Sequence, residues 1–354
     1  MRNYDYRENW KKLLTPQVVR KLITIHEYRG EQRVFVDRYA EVLTDFMETA
    51  KIQSTESSNR MEGIKASDER LKKIVLDKTM PKSRMEREIA GYRDVLNNIQ
   101  ENSAHIPIRA TFILQLHRDL FKYENGVNGG IFKNTEDMEI PMKLDDEVDR
   151  SKEFHHVSPQ ETPESVDRLC EAYRDAIENT EADPLLLMSM FILDFLCIHP
   201  FQYGNGRMSR LLALLLLYKS DYIVGKYSSV EKLIEGKKDA YYTALQKSSV
   251  RWDEEENDYE PFVNCMLSIV MRAYAEFSDR TRKIEGKKAA KPNWVEEEIR
   301  NTVGTVTKTE LMKRVTGVSQ TTIQRTLTEL VKQKKIRKIG NGRYTKYEWN
   351  REDK

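Results

Sequence analysis

The chain has 354 residues, 39% of them apolar and 33% charged, and a formal net charge of +2. That length suits two or three separate cores, and the composition excludes the disordered and collagen-like classes. The polar opening MRNYDYRENWKK carries no apolar leader, and the longest apolar runs, 185–198 and 211–218, are too short to span a bilayer, so no membrane contact is expected.

Helical periodicity dominates the first four fifths of the chain. It predicts helices over 16–28, 33–50, 84–101, 107–123, 163–179, 184–198, 207–219, 235–249 and 258–284. The stretch 124–158 breaks this rhythm, because Asn-Gly and Gly-Gly pairs followed by IFKNTEDMEI read as a turn and then a short strand or hairpin. The basic run KIEGKKAAKPN at 283–293 cannot bury apolar surface and ends in proline, so it reads as a linker. The resulting organisation is an N-terminal helical region (1–105), a helical core (106–285), a linker (286–293) and a small C-terminal domain (294–354). Cys170, Cys197 and Cys265 lie far apart and form no CxxC or Cys/His ligand set. Buried free thiols in a reducing, cytoplasmic setting are therefore expected.

The C-terminal piece reads as helix, helix, helix, hairpin, with Asn341-Gly342 at the hairpin turn because both turn positions need φ > 0. It resembles a winged helix-turn-helix. Residues 294–354 hold 14 Lys and Arg against 8 Asp and Glu, a surplus of six positive charges in a chain whose total is +2. A helix opening at Ser319 would present Gln320, Thr321, Thr322, Gln324 and Arg325 to base edges, with Arg343 and Lys346 in the wing near phosphate. DNA is thus one candidate partner. Protein docking or dimerisation is the alternative use of such a module.

Chemistry concentrates at residues 185–218, where an apolar helix, a glycine-containing polar loop and a second apolar helix follow one another. Gly204 and Gly206 let backbone approach an oxyanion closely, and the next helix N-terminus offers unpaired N–H groups to phosphate. Arg207 and Arg210, three residues apart, fall on one helix face and suit fork-like contacts with separate phosphates. Asn205 can fix the loop or a phosphate oxygen. His199 supplies an imidazole, a group whose ordinary pKa of about 6.5 suits a general base. For an isolated histidine, a capped helix joint would be the ordinary reading.

His199, Pro200, Phe201, Gly204, Asn205, Gly206, Arg207 and Arg210 together match the signature of the Fic family at its fixed spacing, and the flanking helices resemble that family over roughly 60–285. The resemblance implies a mainly α Fic helical fold with a small β-hairpin flap, followed here by the C-terminal winged helix domain. It also implies that His199 takes a proton from an incoming hydroxyl, which attacks the α-phosphorus of ATP and expels pyrophosphate. Where the family usually has an acidic residue that helps hold Mg²⁺, this chain has Tyr203, a poor ligand for a hard cation. Mg²⁺ recruitment is therefore not secured by the loop. Upstream, SSNRMEG resembles the inhibitory helix motif of autoinhibited Fic proteins, through Ser58, Glu62 and Gly63. In that family the glutamate pairs with the second motif arginine, here Arg210. Ile131, Phe132 and Lys133 stand where the family's flap clamps a target segment, with lysine in place of the more usual arginine. Tyr241 is placed like a residue of the nucleotide base pocket, and plain helix packing explains it equally well. The expected activity is AMP transfer from ATP to Ser, Thr or Tyr of a protein, its own chain among the candidates, and a homodimer is a candidate assembly. The rival is a DNA-binding regulator whose Fic domain only senses nucleotide.

Overall fold

The computed structural model describes residues 2–38, 40–124, 129–135, 156–285, 291–315, 318–342 and 345–350. Helices α1 (Tyr6–Lys12), α2 (Pro16–Arg38), α3 (Ala40–Met61), α4 (Asp68–Val75) and α5 (Arg84–Asn102) form the first half of the helical body. Helices α6 (Ala110–Leu120), α7 (Thr162–Asn179), α8 (Pro184–Ile198), α9 (Asn205–Lys219), α10 (Val230–Glu235), α11 (Lys238–Ser249) and α12 (Glu260–Glu285) complete it. The protein is mainly α, as expected. None of its described helices is long and apolar enough to cross a membrane.

Several boundaries differ from the periodicity reading. The break expected between 28 and 33 is absent, because α2 runs through Gly30. A helical glycine costs about 1 kcal/mol relative to alanine, and burial of Val18, Leu22, Ile25 and Phe35 outweighs that. The short helices α1, α4 and α10 were not anticipated, and the helix expected at 235–249 starts instead at Lys238 as α11. No strand occurs at 129–135, and the rest of the expected hairpin, 136–155, lies outside the described residues. Residues 291–293, expected in the linker, instead open a helix, with Pro292 in its first turn where a missing N–H costs nothing.

The centre of the body is the pair α8 and α9, whose leucines and phenylalanines are buried almost without exception. Each such side chain contributes about 1.5–3 kcal/mol relative to exposure, so the joint between them is held on two rigid supports. Helix α8 starts sharply, with Asp183 accepting a hydrogen bond from the Leu185 N–H and proline following at the first position. Deep in α8, Asp194 accepts from the Tyr259 hydroxyl at 2.8 Å, the Trp252 indole at 2.5 Å and the Tyr6 hydroxyl, with Arg2 at 3.7 Å. One carboxylate thus fastens the start of the chain to the core.

The C-terminal domain comprises α13 (Lys291–Asn301), β1 (Thr305–Thr307), α14 (Lys308–Arg314), α15 (Gln320–Lys332), β2 (Ile336–Ile339) and β3 (Lys346–Trp349). Its antiparallel sheet has the order β1-β3-β2, pairing Val306 with Tyr347 and Ile336 with Trp349. Strand β1 was not anticipated. The turn also differs: pairing ends at Ile339 and Lys346, and positive φ falls on Gly340 and Gly342 while Asn341 is not among the positive-φ residues. Arg343 lies outside the described residues. This domain has its own core, built on Val295, Ile299, Leu311, Ile323, Leu327 and Ile336. A separate apolar cluster joins it to the body, with Val303 among Ile52, Ile64, Leu71, Ile74 and Ile89.

Candidate functional site

The loop between α8 and α9 is shaped by its backbone. His199 ends α8 in the left-handed region at φ 51°, a conformation few non-glycine residues adopt, and its N–H still donates to the Phe195 carbonyl. Gly204 caps α9 at φ 83°. Asn205 closes the loop across its base: its Oδ1 accepts from the Phe201 N–H at 3.0 Å and its Nδ2 donates to the Phe201 carbonyl at 2.6 Å. Of the two roles open to Asn205, this is the loop-fixing one.

A residue the sequence reading passed over holds the loop from beneath. His117 of α6 stacks on Phe201 with ring centres 3.7 Å apart and planes 2° from parallel. Its Nδ1 accepts from the Gly130 N–H at 2.9 Å, so the proton of the neutral ring is on Nε2, 3.0 Å from the Tyr203 carbonyl. Burial, together with positively charged Arg207 nearby, pushes the His117 pKa down to about 4 against the opposing bond to Tyr203. Helical spacing alone places His117 on the core face of α6, and nothing in the sequence distinguishes it from a packing residue.

The segment expected to serve as flap is tied to the same loop. The Lys133 N–H donates to the Pro200 carbonyl at 2.9 Å, its Nζ lies 3.3 Å from the Ile198 carbonyl, and Thr135 donates to Gln202 at 2.6 Å. Phe132 lies 6.1 Å from Phe201, whereas Ile131 is 51% exposed. His156, another residue not singled out from sequence, stacks on His199 at 4.5 Å and uses its Nδ1 on the Cys197 carbonyl.

At the start of α9 the charges converge. A Cβ on Gly206 would lie 2.4 Å from the Glu62 Oε1, so the absent side chain is what lets that carboxylate rest against the first turn of the helix. The same oxygen accepts from Arg210 Nη2 at 2.6 Å. Arg210 also donates to the Ser58 hydroxyl at 2.7 Å and the Ser58 carbonyl at 2.9 Å, leaving its side chain almost wholly enclosed. Arg207 does not share this partner. It pairs with Glu88 of α5 at 2.9 Å and lies over the Phe121 ring, while its Nε and Nη1 are buried with no hydrogen-bond partner among the described residues. Glu88 carries no sequence signal for this role.

Two expected contributors stand differently. Tyr241 is 3% exposed and packed edge-on between Tyr242 and Phe262, so in this arrangement it is a packing residue. Tyr203 is 65% exposed, and its carbonyl is held by His117 of α6. Among the described residues no group of three His, Cys, Asp or Glu could hold a metal ion. The carboxylates by the loop, Glu62 and Glu88, are engaged by arginines. Among the described residues, the donors by the loop do not fit a protein-held Mg²⁺.

In the C-terminal domain, Ser319 caps α15 through the Thr322 N–H, and Thr321, Gln324 and Arg325 are exposed on one face with Thr322 half-buried beside them.

A buried helix pair joined by a glycine-containing loop, with two arginines at the start of the second helix, defines a class of helical domain built around that joint. Residues 107–217 match the model of the Fic/DOC family, and the protein carries a Fic domain. Residues 288–350 match that of the transcriptional regulator DIP2311-like C-terminal domain, in keeping with the winged-helix form. A Fido domain-containing protein of Dictyostelium discoideum is 36% identical over 61 residues, 16% of this chain and 43% of that protein. The chain thus matches less than half the length of that curated relative. A Fic family protein from Desulfovibrio desulfuricans superposes with a TM-score of 0.60 at 18% identity, over 96% of this chain and 98% of its own. A Fic domain containing signaling protein from Bacteroides thetaiotaomicron gives 0.60 at 18%, over 75% and 100%. Fic-1 from C. elegans gives 0.59 at 20%, over 77% and 75%. At these identities the structural likeness establishes the fold.

Proposed function

We propose that the protein is an adenylyltransferase that binds ATP at the loop from His199 to Arg210 and transfers AMP to a Ser, Thr or Tyr hydroxyl of a protein, its own chain included. The observation that carries this reading is Glu62, a carboxylate lying on both the first turn of α9 and Arg210. An anion is already seated where a nucleotide phosphate would go, and Arg207, whose Nε and Nη1 have no hydrogen-bond partner among the described residues, lies on the same turn. In the reaction the acceptor oxygen bonds to the α-phosphorus, the bond from that phosphorus to the bridging oxygen breaks, and pyrophosphate leaves. His199 accepts the hydroxyl proton, and the α9 N-terminus with Arg207 and Arg210 stabilises the charge that develops on the phosphates. Any Mg²⁺ used would be carried by those phosphates and water, since Tyr203 offers no anionic oxygen.

Glu62 makes the resting protein inhibited on this reading, because a phosphate must displace it from Arg210. Incubation with ATP labelled in the AMP moiety tests the proposal. Glu62→Gly raises labelling, and Arg210→Ala removes it in both backgrounds. Unchanged labelling in Glu62→Gly would reject the inhibitory role.

A second reading, a DNA-binding regulator that senses nucleotide, is favoured by the exposed face of α15 and the match of residues 288–350 to a regulator domain. It predicts duplex binding that weakens with salt, as displaced counterions require, and whose salt slope falls by about one in Arg325→Ala. A full-length protein that binds no duplex at low salt would exclude it.

A further inference from the structure

The α3–α4 corner that carries Glu62 is gripped from outside by the C-terminal domain. Glu62 is not in the helix proper: α3 ends at Met61, and Glu62 lies in the turn leading to α4. The N–H groups of Glu62 and Ile64 both donate to the Asn59 carbonyl. Beyond that turn α4 is held from two sides: to the body, Arg70 pairs with Glu86 of α5 at 2.7 Å and Arg93 donates to the Ile74 carbonyl at 2.6 Å, and to the other domain it makes a second set of contacts. Ile64, Leu71 and Ile74 pack with Val303, and Lys72 donates to the Thr305 carbonyl at 2.9 Å. Gly304, at φ 70°, lies so close to α4 that a Cβ would meet the Asp68 Cβ at 2.6 Å. On α3 itself, Gln53 donates to the Asn301 carbonyl and Glu48 lies 4.0 Å from Arg314.

The opposite side of α3 belongs to the body. Arg60 pairs with Glu235, with one bond at 2.7 Å, and Ser54 donates to Glu231 at 2.7 Å. These ties keep the helix in place whatever the C-terminal domain does. The turn from Glu62 to Ser67 meets the body through Glu62 on Arg210 and Ile64 beside Ile52 and Ile89, and α4, shared between α5 and the C-terminal domain, closes it from the far end.

We infer that the C-terminal domain is a second clamp, beside α5, that keeps Glu62 on Arg210, so that displacing this domain from α4 loosens the corner and opens the anion cradle. The inference rests on the proposed role of Glu62 and adds to it a physical route by which any ligand of the winged-helix domain would set nucleotide access. The two sites are coupled only to the extent that the ligand discriminates between the clamped and released positions.

Gly304 provides the wedge. Gly304→Leu places a side chain where Asp68 stands and in a backbone region that disfavours it. Because that change could unsettle the domain itself, the pair Gln53→Ala with Lys72→Ala removes two of the polar ties without strain. ATP affinity of the full-length protein is measured by calorimetry in each variant, with and without Glu62→Gly. The clamp predicts tightening by about fivefold or more, the lower end of ordinary coupling between sites, and no further tightening once Glu62 is glycine. Tightening by Glu62→Gly alone, with neither interface variant having an effect, would overturn the clamp and leave the role of Glu62 standing. Equal tightening by the interface variants in both backgrounds would overturn it as well. No tightening by Glu62→Gly would overturn both.

Discussion

Gly206, Glu62 and Arg210 make one physical unit. The first has no side chain so that the second can reach the helix end, and the third gives that carboxylate its partner. Spacing and chemistry singled out Gly206 and Arg210 from sequence, as a glycine-containing loop followed by arginines three apart, whereas Glu62 was reached only through the resemblance of SSNRMEG to the family's inhibitory motif. His117 and Glu88 were not legible, since a histidine or glutamate in a helix acquires its role only from what the fold brings opposite it. His117 nevertheless makes a testable claim. Burial holds its pKa at about 4, below the ordinary 6.5, so as pH falls the unfolded chain takes up the proton first. Stability owed to the neutral ring is intact above about pH 6.5 and is lost progressively down to about 4, amounting to about 2 kcal/mol between pH 7 and 5. Urea unfolding of the protein and of His117→Gln at both pH values should show that share of the pH dependence vanish in the variant. Parallel pH dependence in the two proteins would contradict it.

At the level of elements, the long apolar helices were readable and the short ones were not. Helices α8 and α9 announce themselves by composition, whereas α4, eight residues long, and β1, three residues long, owe their existence to neighbours. Gly30 misled in the other direction, because local propensity is weak beside the packing of α2. The polar residue inside α8 is the element's point of vulnerability. Asp194→Ala would leave Arg2 and the polar groups of Tyr6, Trp252 and Tyr259 without their shared acceptor. Removing one partner of such a buried network costs about 3–5 kcal/mol, which chemical denaturation would read as a large fall in midpoint. A loss under 1 kcal/mol would mean that the N-terminal segment is not fastened through this carboxylate.

Across the whole molecule, the Fic domain, the α3–α4 corner that carries Glu62 and the winged-helix domain form a chain of contacts. The C-terminal domain touches α3 and α4, these deliver Ser58 and Glu62 to Arg210, and Arg210 stands one turn from the loop that bears His199. That chain was invisible in the sequence, where the motif at 58–63 and the basic C-terminal piece are separated by more than half the protein. The proposed chemistry turns on whether the protein transfers the AMP moiety of ATP. The most direct measurement incubates the Glu62→Gly protein with ATP labelled either on the α- or on the γ-phosphate, and follows acid-stable protein label with and without His199→Ala. Adenylyl transfer predicts covalent label from the α-phosphate alone, lost on His199→Ala while ATP affinity stays within a few-fold. Label from the γ-phosphate, or α-label that survives removal of His199, would contradict the account.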